Sequence, residues 1–281
     1  MQVDIPKLVH ATATKLKYCD SPNPVREVRL MLAELLNETY EHIFMMREEE
    51  VPQNVLSQLE DWVERRSTGE PLAKILHKKG FWQHTFKTTA DTLDPRPESE
   101  CIIEQALEHA PVSDKELRIL DLGTGTGCLL ISLLHEYPNA AGIGVDVSYK
   151  ACCVANENLN QLGFAQRGLI VNSSWLEVIS GKFDIIISNP PYIAKHEKVS
   201  EAAEFDPSLA LYADNNGLVN YEYFAKKASN FLQIDGILII EYGHQQHERV
   251  VKLFETHGYN LIGYAFDINK IKRASSFRFV G

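Results

Sequence analysis

The chain has 281 residues, 44% of them hydrophobic and 23% charged, with a formal net charge of -10. That length suffices for one large α/β domain and a smaller companion, and the acidic balance argues against a protein that grips nucleic acid through its phosphates. The five cysteines are odd in number and lack Cys-x-x-Cys spacing, as reduced thiols of a cytoplasmic protein would be, and no apolar run approaches the roughly 18 residues of a membrane span or follows a basic start as in a secretion signal.

Residues 1–75 read as a small helical bundle. Pro24 suits a helix start, and Val25, Val28, Leu32, Leu35 and Leu36 then recur at three- and four-residue spacing. After Val51-Pro52, residues Val55, Leu59 and Trp62-Val63 share one face. The acidic trio Glu48, Glu49 and Glu50 reads as a solvated helix end. Residues 76–97 carry Phe81, Trp82, Phe86, Thr88 and Thr89, aromatic and β-branched types that predict a hairpin linker.

Residues 98–281 alternate between strand and helix. Strands are expected at Arg118–Leu122, Ala141–Val147, Gly168–Val171, Phe183–Ser188 and Gly236–Glu241, with helices at Ser148–Leu162 and Val219–Leu232. Apolar strands separated by helices predict a mostly parallel, Rossmann-like sheet covered on both faces. The tail, Tyr259–Phe266 and Ser276–Val280 around a basic loop, predicts an antiparallel edge.

Two motifs carry chemistry. Asp121-Leu122-Gly123-Thr124-Gly125-Thr126-Gly127 ends the first strand of the alternating region, and Asp146 ends the next. Glycines at alternate positions turn the backbone sharply and leave room for a ligand, and a strand-end carboxylate can accept hydrogen bonds from ribose hydroxyls. Cys128 occupies the position where a dinucleotide fingerprint needs glycine, and the Lys-Ser/Thr ending of a phosphate loop is missing. A cofactor with ribose and adenine but no pyrophosphate fits, and S-adenosylmethionine is expected. The second motif, Asn189-Pro190-Pro191-Tyr192, follows the strand Phe183–Ser188 and should lie beside the first. The Asn189 side-chain oxygen and the Pro190 carbonyl can accept both hydrogens of an amide or amino nitrogen and aim it at a methyl group. The two prolines stiffen the loop, and Tyr192 can stack on the planar group.

Taken with the blocks around them, these motifs resemble the bacterial HemK/PrmC family, release factor glutamine methyltransferases with a class I S-adenosylmethionine-dependent fold. The resemblance is carried by Gly69-Glu70-Pro71-Leu72, Phe81-Trp82, Pro95-Arg96-Pro97-Glu98-Ser99-Glu100, Asp121–Gly127, Asn189–Tyr192, Phe205-Asp206-Pro207 and Glu241-Tyr242-Gly243. It implies N5-methylation of the glutamine in the Gly-Gly-Gln tripeptide of class-1 peptide chain release factors, with the helical bundle docking that partner and no direct contact to nucleic acid. The family's amide-binding loop maps to Asn189, Pro190, Pro191 and Tyr192. Its cofactor contacts map to Gly123–Gly127, Asp146 and Trp175, and Asp121 and Asn189 are counted with them. This chain departs from the family in Ser174, where Asp is usual before the Trp, and in Asp94, Asp206 and Tyr212-Ala213-Asp214. A DNA or RNA amino-methyltransferase and a silent cofactor-binding protein remain alternatives.

Other signals are weaker. His244 and His247 lack a companion acid, so no metal is expected. Glu100 is either an orienting carboxylate or a helix-start acid. Arg96 either holds a carboxylate or the partner's backbone or forms a structural salt bridge. Lys270, Lys272, Arg273 and Arg278 form a basic stretch that reads as a partner-contacting loop or an exposed hairpin.

Overall fold

The computed structural model describes residues 2–17, 19, 21–110 and 115–281. The chain divides into two compact units, one of residues 1–77 and 200–205, the other of residues 78–199 and 206–281.

In the first unit, helix Pro24–Leu36 begins where proline at its first turn predicts, capped by the Asn23 side chain on the Arg26 N–H. It packs Val28, Met31 and Leu32 with Ile5, Val9, Val55, Leu59 and Val63 of helices Ile5–Ala13 and Gln53–Ser67. Below that core, Arg66 and Glu27 form a buried ion pair at 2.7 Å. The acidic trio is not a helix end. Glu48–Glu50 is a short exposed strand paired antiparallel with Gln2–Asp4, an arrangement that leaves all three carboxylates in water.

The second unit opens with a hairpin, Lys78–Phe81 against His84–Lys87, turned at Trp82 with φ +51°. It then builds one seven-stranded sheet from β1 Arg118–Leu122, β2 Ala141–Asp146, β3 Gly168–Asn172, β4 Phe183–Ser188, β5 Leu232–Glu241, β6 Tyr259–Phe266 and β7 Lys272–Phe279. Their order is β6-β7-β5-β4-β1-β2-β3. All neighbours run parallel except at β7, which is antiparallel to both β5 and β6. One face is covered by helices Glu100–His109 and Cys128–Glu136, the other by Val219–Lys227 and His247–Glu255. That two-sided burial is why β4 and β5 carry the continuously apolar runs Ile185–Ile187 and Ile237–Ile240.

Two boundaries differ from expectation. The helix from Val219 ends at Lys227, and a 3-10 turn leads into β5 at Leu232, because Leu232 pairs with Phe183 of β4. The last strand starts at Lys272, so Lys272 and Arg273 belong to it rather than to a loop. Arg273 pairs with the buried Asp267 at 2.8 Å, and Lys272 sits 4.4 Å over the Tyr264 ring. Among the described residues no helix is long and apolar enough to cross a membrane.

Candidate active site

The sheet reverses its winding between β1 and β4, the position where ligands bind in open α/β sheets. There the carboxyl ends of β1, β2 and β4 border a cavity of about 290 Å³. Gly123, Gly125, Asp146, Trp175, Asn189 and Pro191 line it, joined by Asp91–Leu93, Ser148, Ser173, Ser174, Leu209–Ala210, Tyr212–Asp214 and Val219–Asn220.

The glycine loop is shaped by its own surroundings. Gly123, Gly125 and Gly127 have φ of +79°, +55° and +80°, angles that residues with a Cβ rarely adopt. The Gly123 and Thr124 N–H groups both donate to the Val145 carbonyl, at 2.8 and 2.9 Å, which ties the loop to β2. Asp146 Oδ2 accepts from the Gly125 N–H and Oδ1 from the Ser148 N–H, each at 2.9 Å. Burial raises the Asp146 carboxyl and these two N–H donors pull it down. Trp175 also has positive φ, +45°. Its ring stands edge-on to Phe224 and so close to Gly123 that a Cβ there would lie 3.2 Å from it.

Four residues expected at the cofactor do not reach the cavity wall. Asp121 is fully buried beneath the loop, where Oδ2 accepts the Thr124 hydroxyl at 2.6 Å. Desolvation pushes its carboxyl up to about 7. Thr126 is buried, with its carbonyl on Asn158 Nδ2. Gly127 caps helix Cys128–Glu136 and lies against Ala155 and Ile131. These residues shape the loop from below, as does Thr124.

The second loop is held from farther away. Asn189 Nδ2 donates to Ser99 Oγ at 2.9 Å, 90 residues upstream. The Pro191 carbonyl accepts from Asn220 Nδ2 at 2.8 Å, and the Tyr192 carbonyl from Gln246 Nε2 at 3.0 Å. Pro190 is buried. The Tyr192 ring packs with the core on one face of the sheet and presses on Gly243, where a Cβ would meet it at 2.9 Å. Tyr192 is absent from the cavity wall. Burial holds its phenol protonated, well above the usual range.

The remaining candidates are structural. Arg96 forms an ion pair with the buried Asp206. Glu100 accepts the Trp82 N–H at 3.0 Å and opens helix Glu100–His109. His247 Nδ1 is 2.7 Å from the Tyr242 hydroxyl, and burial lowers its pKa. Sequence reasoning missed Asn220, Ser148 and Asp91–Leu93. Only for the last did a signal exist, in their position just before the Pro-Arg-Pro block.

The lining residues fit S-adenosylmethionine. A Cβ at Gly125 would project into open space at the cavity wall, room that glycine leaves to a ligand, and Asp146 offers carboxylate lone pairs there. No stack of phosphate-binding N–H groups competes for an anion, because Asp146 already takes the Gly125 N–H.

Two family models match the chain: the PrmC N-terminal domain over residues 7–76 and the methyltransferase small domain over 99–205. A release factor glutamine methyltransferase of Rhodospirillum rubrum is 36% identical over 255 residues, covering 90% of this chain and 78% of its own. A bifunctional methyltransferase of Rickettsia bellii is 35% identical over 288 residues, covering 92% of this chain and 52% of its own. The chain thus spans about half the length of such bifunctional relatives. Among solved structures, a ribosomal protein L11 methylase of Lactobacillus delbrueckii subsp. bulgaricus superposes with a TM-score of 0.51 at 16% identity, covering 72% of this chain and 92% of its own. That likeness is one of fold.

Proposed function

Because the chain belongs to the release factor glutamine methyltransferase family, we propose that it transfers a methyl group from S-adenosylmethionine to the side-chain amide nitrogen of a glutamine, that of the Gly-Gly-Gln tripeptide of a class-1 peptide chain release factor. One observation carries the reading at the level of residues. Asn189 and Pro191 line the same cavity as Gly123, Asp146 and Trp175, so an acceptor on the first pair lies within reach of a donor on the others.

The cofactor supplies an electrophilic methyl group on a positively charged sulfur. The protein supplies position. An amide nitrogen is a weak nucleophile because its lone pair is delocalised into the carbonyl. Asn189 Nδ2 is committed to Ser99, which leaves Oδ1 as the side-chain atom able to accept an acceptor N–H at the cavity. The Pro190 carbonyl is assigned as the second acceptor by the family's amide-binding loop rather than by the cavity lining, where Asn189 and Pro191 stand, and the loop's prolines bring no competing N–H. Holding both hydrogens in the amide plane directs the nitrogen toward the methyl, and such orientation lowers a barrier by several kcal/mol. No strong base is needed, since the nitrogen becomes acidic only after transfer. The 1–75 region is the proposed docking element for the release factor.

The test incubates the chain with labelled methyl donor and, separately, a release factor, the same factor with its tripeptide Gln changed to Ala, DNA and tRNA. Label is expected on the unmodified factor alone. Label on nucleic acid, or on the Ala variant, would overturn the reading.

A further inference from the structure

Two sequence blocks, Pro95–Glu100 and Glu241-Tyr242-Gly243, have no part in the reaction as described, yet they meet behind Asn189. Strand register pairs Ile240 of β5 with Ser188 of β4, so Glu241 and Asn189, the next residue of each, lie side by side at the sheet's carboxyl edge. Ser99 ends the turn that precedes helix Glu100–His109, and its Oγ accepts from Asn189 Nδ2. The Ser99 and Asn189 side chains both reach the Glu241 carboxyl, and their hydrogen bonding offsets part of the upward push of burial on it. A carboxylate can only accept, so the Ser99 hydroxyl is the donor. Both residues are shut off from water, with exposures of 4% and 2%, and neither lines the cavity.

The direction of these bonds has a consequence for the amide. The oxygen and nitrogen of an Asn side chain are nearly equal in size, and only hydrogen bonding decides which way the group points. Flipped, Asn189 would offer N–H donors to an acceptor amide that itself has only N–H to give. A serine hydroxyl free to rotate could serve either orientation. With its one proton engaged by Glu241, Ser99 can only accept, and the Glu241 carboxylate accepts from Asn189 as well, so Asn189 must turn its nitrogen inward.

We propose that Glu241 and Ser99 are positioning residues for methyl transfer: Glu241 fixes the Ser99 hydroxyl, and the two together fix the Asn189 amide with its oxygen toward the acceptor. The inference rests on the reaction proposed above. The charged and titratable groups facing Glu241 are Arg273 on β7, Glu98 on the Ser99 turn, Tyr192 beyond Asn189, and Cys101, Cys128 and Tyr221 on the helices that cover the sheet. Burial pushes the Glu241 carboxyl up to about 7. Oε2 has no hydrogen-bond partner. A carboxyl protonated there still accepts the Ser99 hydroxyl on its other oxygen, so the relay holds in both charge states.

The experiment measures kcat and KM for a release factor, together with donor Kd and thermal unfolding, in Ser99→Ala, Glu241→Ala, Glu241→Gln and the double alanine variant. Loss of one oriented hydrogen bond should lower kcat about tenfold in Ser99→Ala, with KM and donor Kd within about twofold. Glu241→Gln keeps an acceptor oxygen and should recover most of the loss seen in Glu241→Ala, and the double variant should lose less than the product of the two single losses. Wild-type kcat in Ser99→Ala, or additive losses in the double variant, would overturn the relay. If Glu241→Ala does not fold, Ser99→Ala and Glu241→Gln still decide, a kcat loss confined to the serine variant being the supporting result. A wild-type chain silent on release factor would instead overturn the reaction itself.

Discussion

The glycine loop and the Asn-Pro-Pro-Tyr loop face one cavity but are held in opposite ways. Everything that shapes the first comes from residues 121–175: Val145 and Asp146 on the next strand, Thr124 on Asp121, the Trp175 ring. The second is held by Ser99, Asn220 and Gln246, which are 90, 29 and 54 residues from their partners. The first loop keeps the Val145 carbonyl, a backbone group, whatever side chains are lost around it. A loop held by single side chains depends on each of them. Substitution at the first should therefore act on stability and cofactor affinity, and at the second on the rate of transfer.

The largest effect expected lies under the glycine loop. Asp121 is fully buried and its carboxyl is held up to about 7, far above its value in an unfolded chain. The folded state therefore keeps a proton that the unfolded state has already lost, and stability falls as pH rises from about 4 to about 7. Asp121→Asn removes this burden while retaining an oxygen for Thr124. It should be more stable than wild type at pH 8 by up to roughly 4 kcal/mol, a gain that shrinks toward pH 5 in urea unfolding. Equal stability of the two proteins at pH 8 would show that the carboxyl is not strained there.

On the other loop, Asn189→Ala should lower kcat by about 100-fold or more while leaving donor Kd within about twofold. A large change in donor Kd would mean that the two loops are not separable. Gly123→Ala is the reciprocal case. At φ +79° with the Trp175 ring 3.2 Å from the added Cβ, it costs about 1–2 kcal/mol of backbone strain and displaces the ring. Donor Kd should rise about tenfold in equilibrium titration, with kcat at saturating donor nearly kept.

The same contrast explains what was legible in the sequence. The parallel sheet and the glycine loop rest on local pattern: apolar runs, helical spacing and turn glycines within a few residues. Asp121 and Tyr192 lie off the cavity wall, which their motifs could not show, because a motif letter does not say which way its side chain faces. Asp121 points below its loop, and the Tyr192 ring fills the core at Gly243. The strand at Glu48–Glu50 was hidden because three charged residues have no alternation to read. Ser99 and Gln246 lie in segments whose periodicity says nothing about a loop elsewhere in the chain, so only folding brings them to it.

Asn220 is the residue where that reasoning can be tested most finely. It had no signal in the sequence, yet it lines the cavity and its Nδ2 supports the carbonyl between Pro191 and Tyr192 at 2.8 Å. Pro190 and Pro191 already limit the loop's own motion, so the bond has less to do than Ser99 has at a freely rotating amide. Asn220→Ala leaves the Pro191 carbonyl at the cavity edge, where water can replace the lost donor, and the cost should stay near 1 kcal/mol. A fall in kcat of about fivefold is expected, with donor Kd unchanged, in the methyl-transfer assay. A drop as large as that of Asn189→Ala would mean that the prolines do not hold the loop and that its geometry hangs on this one amide.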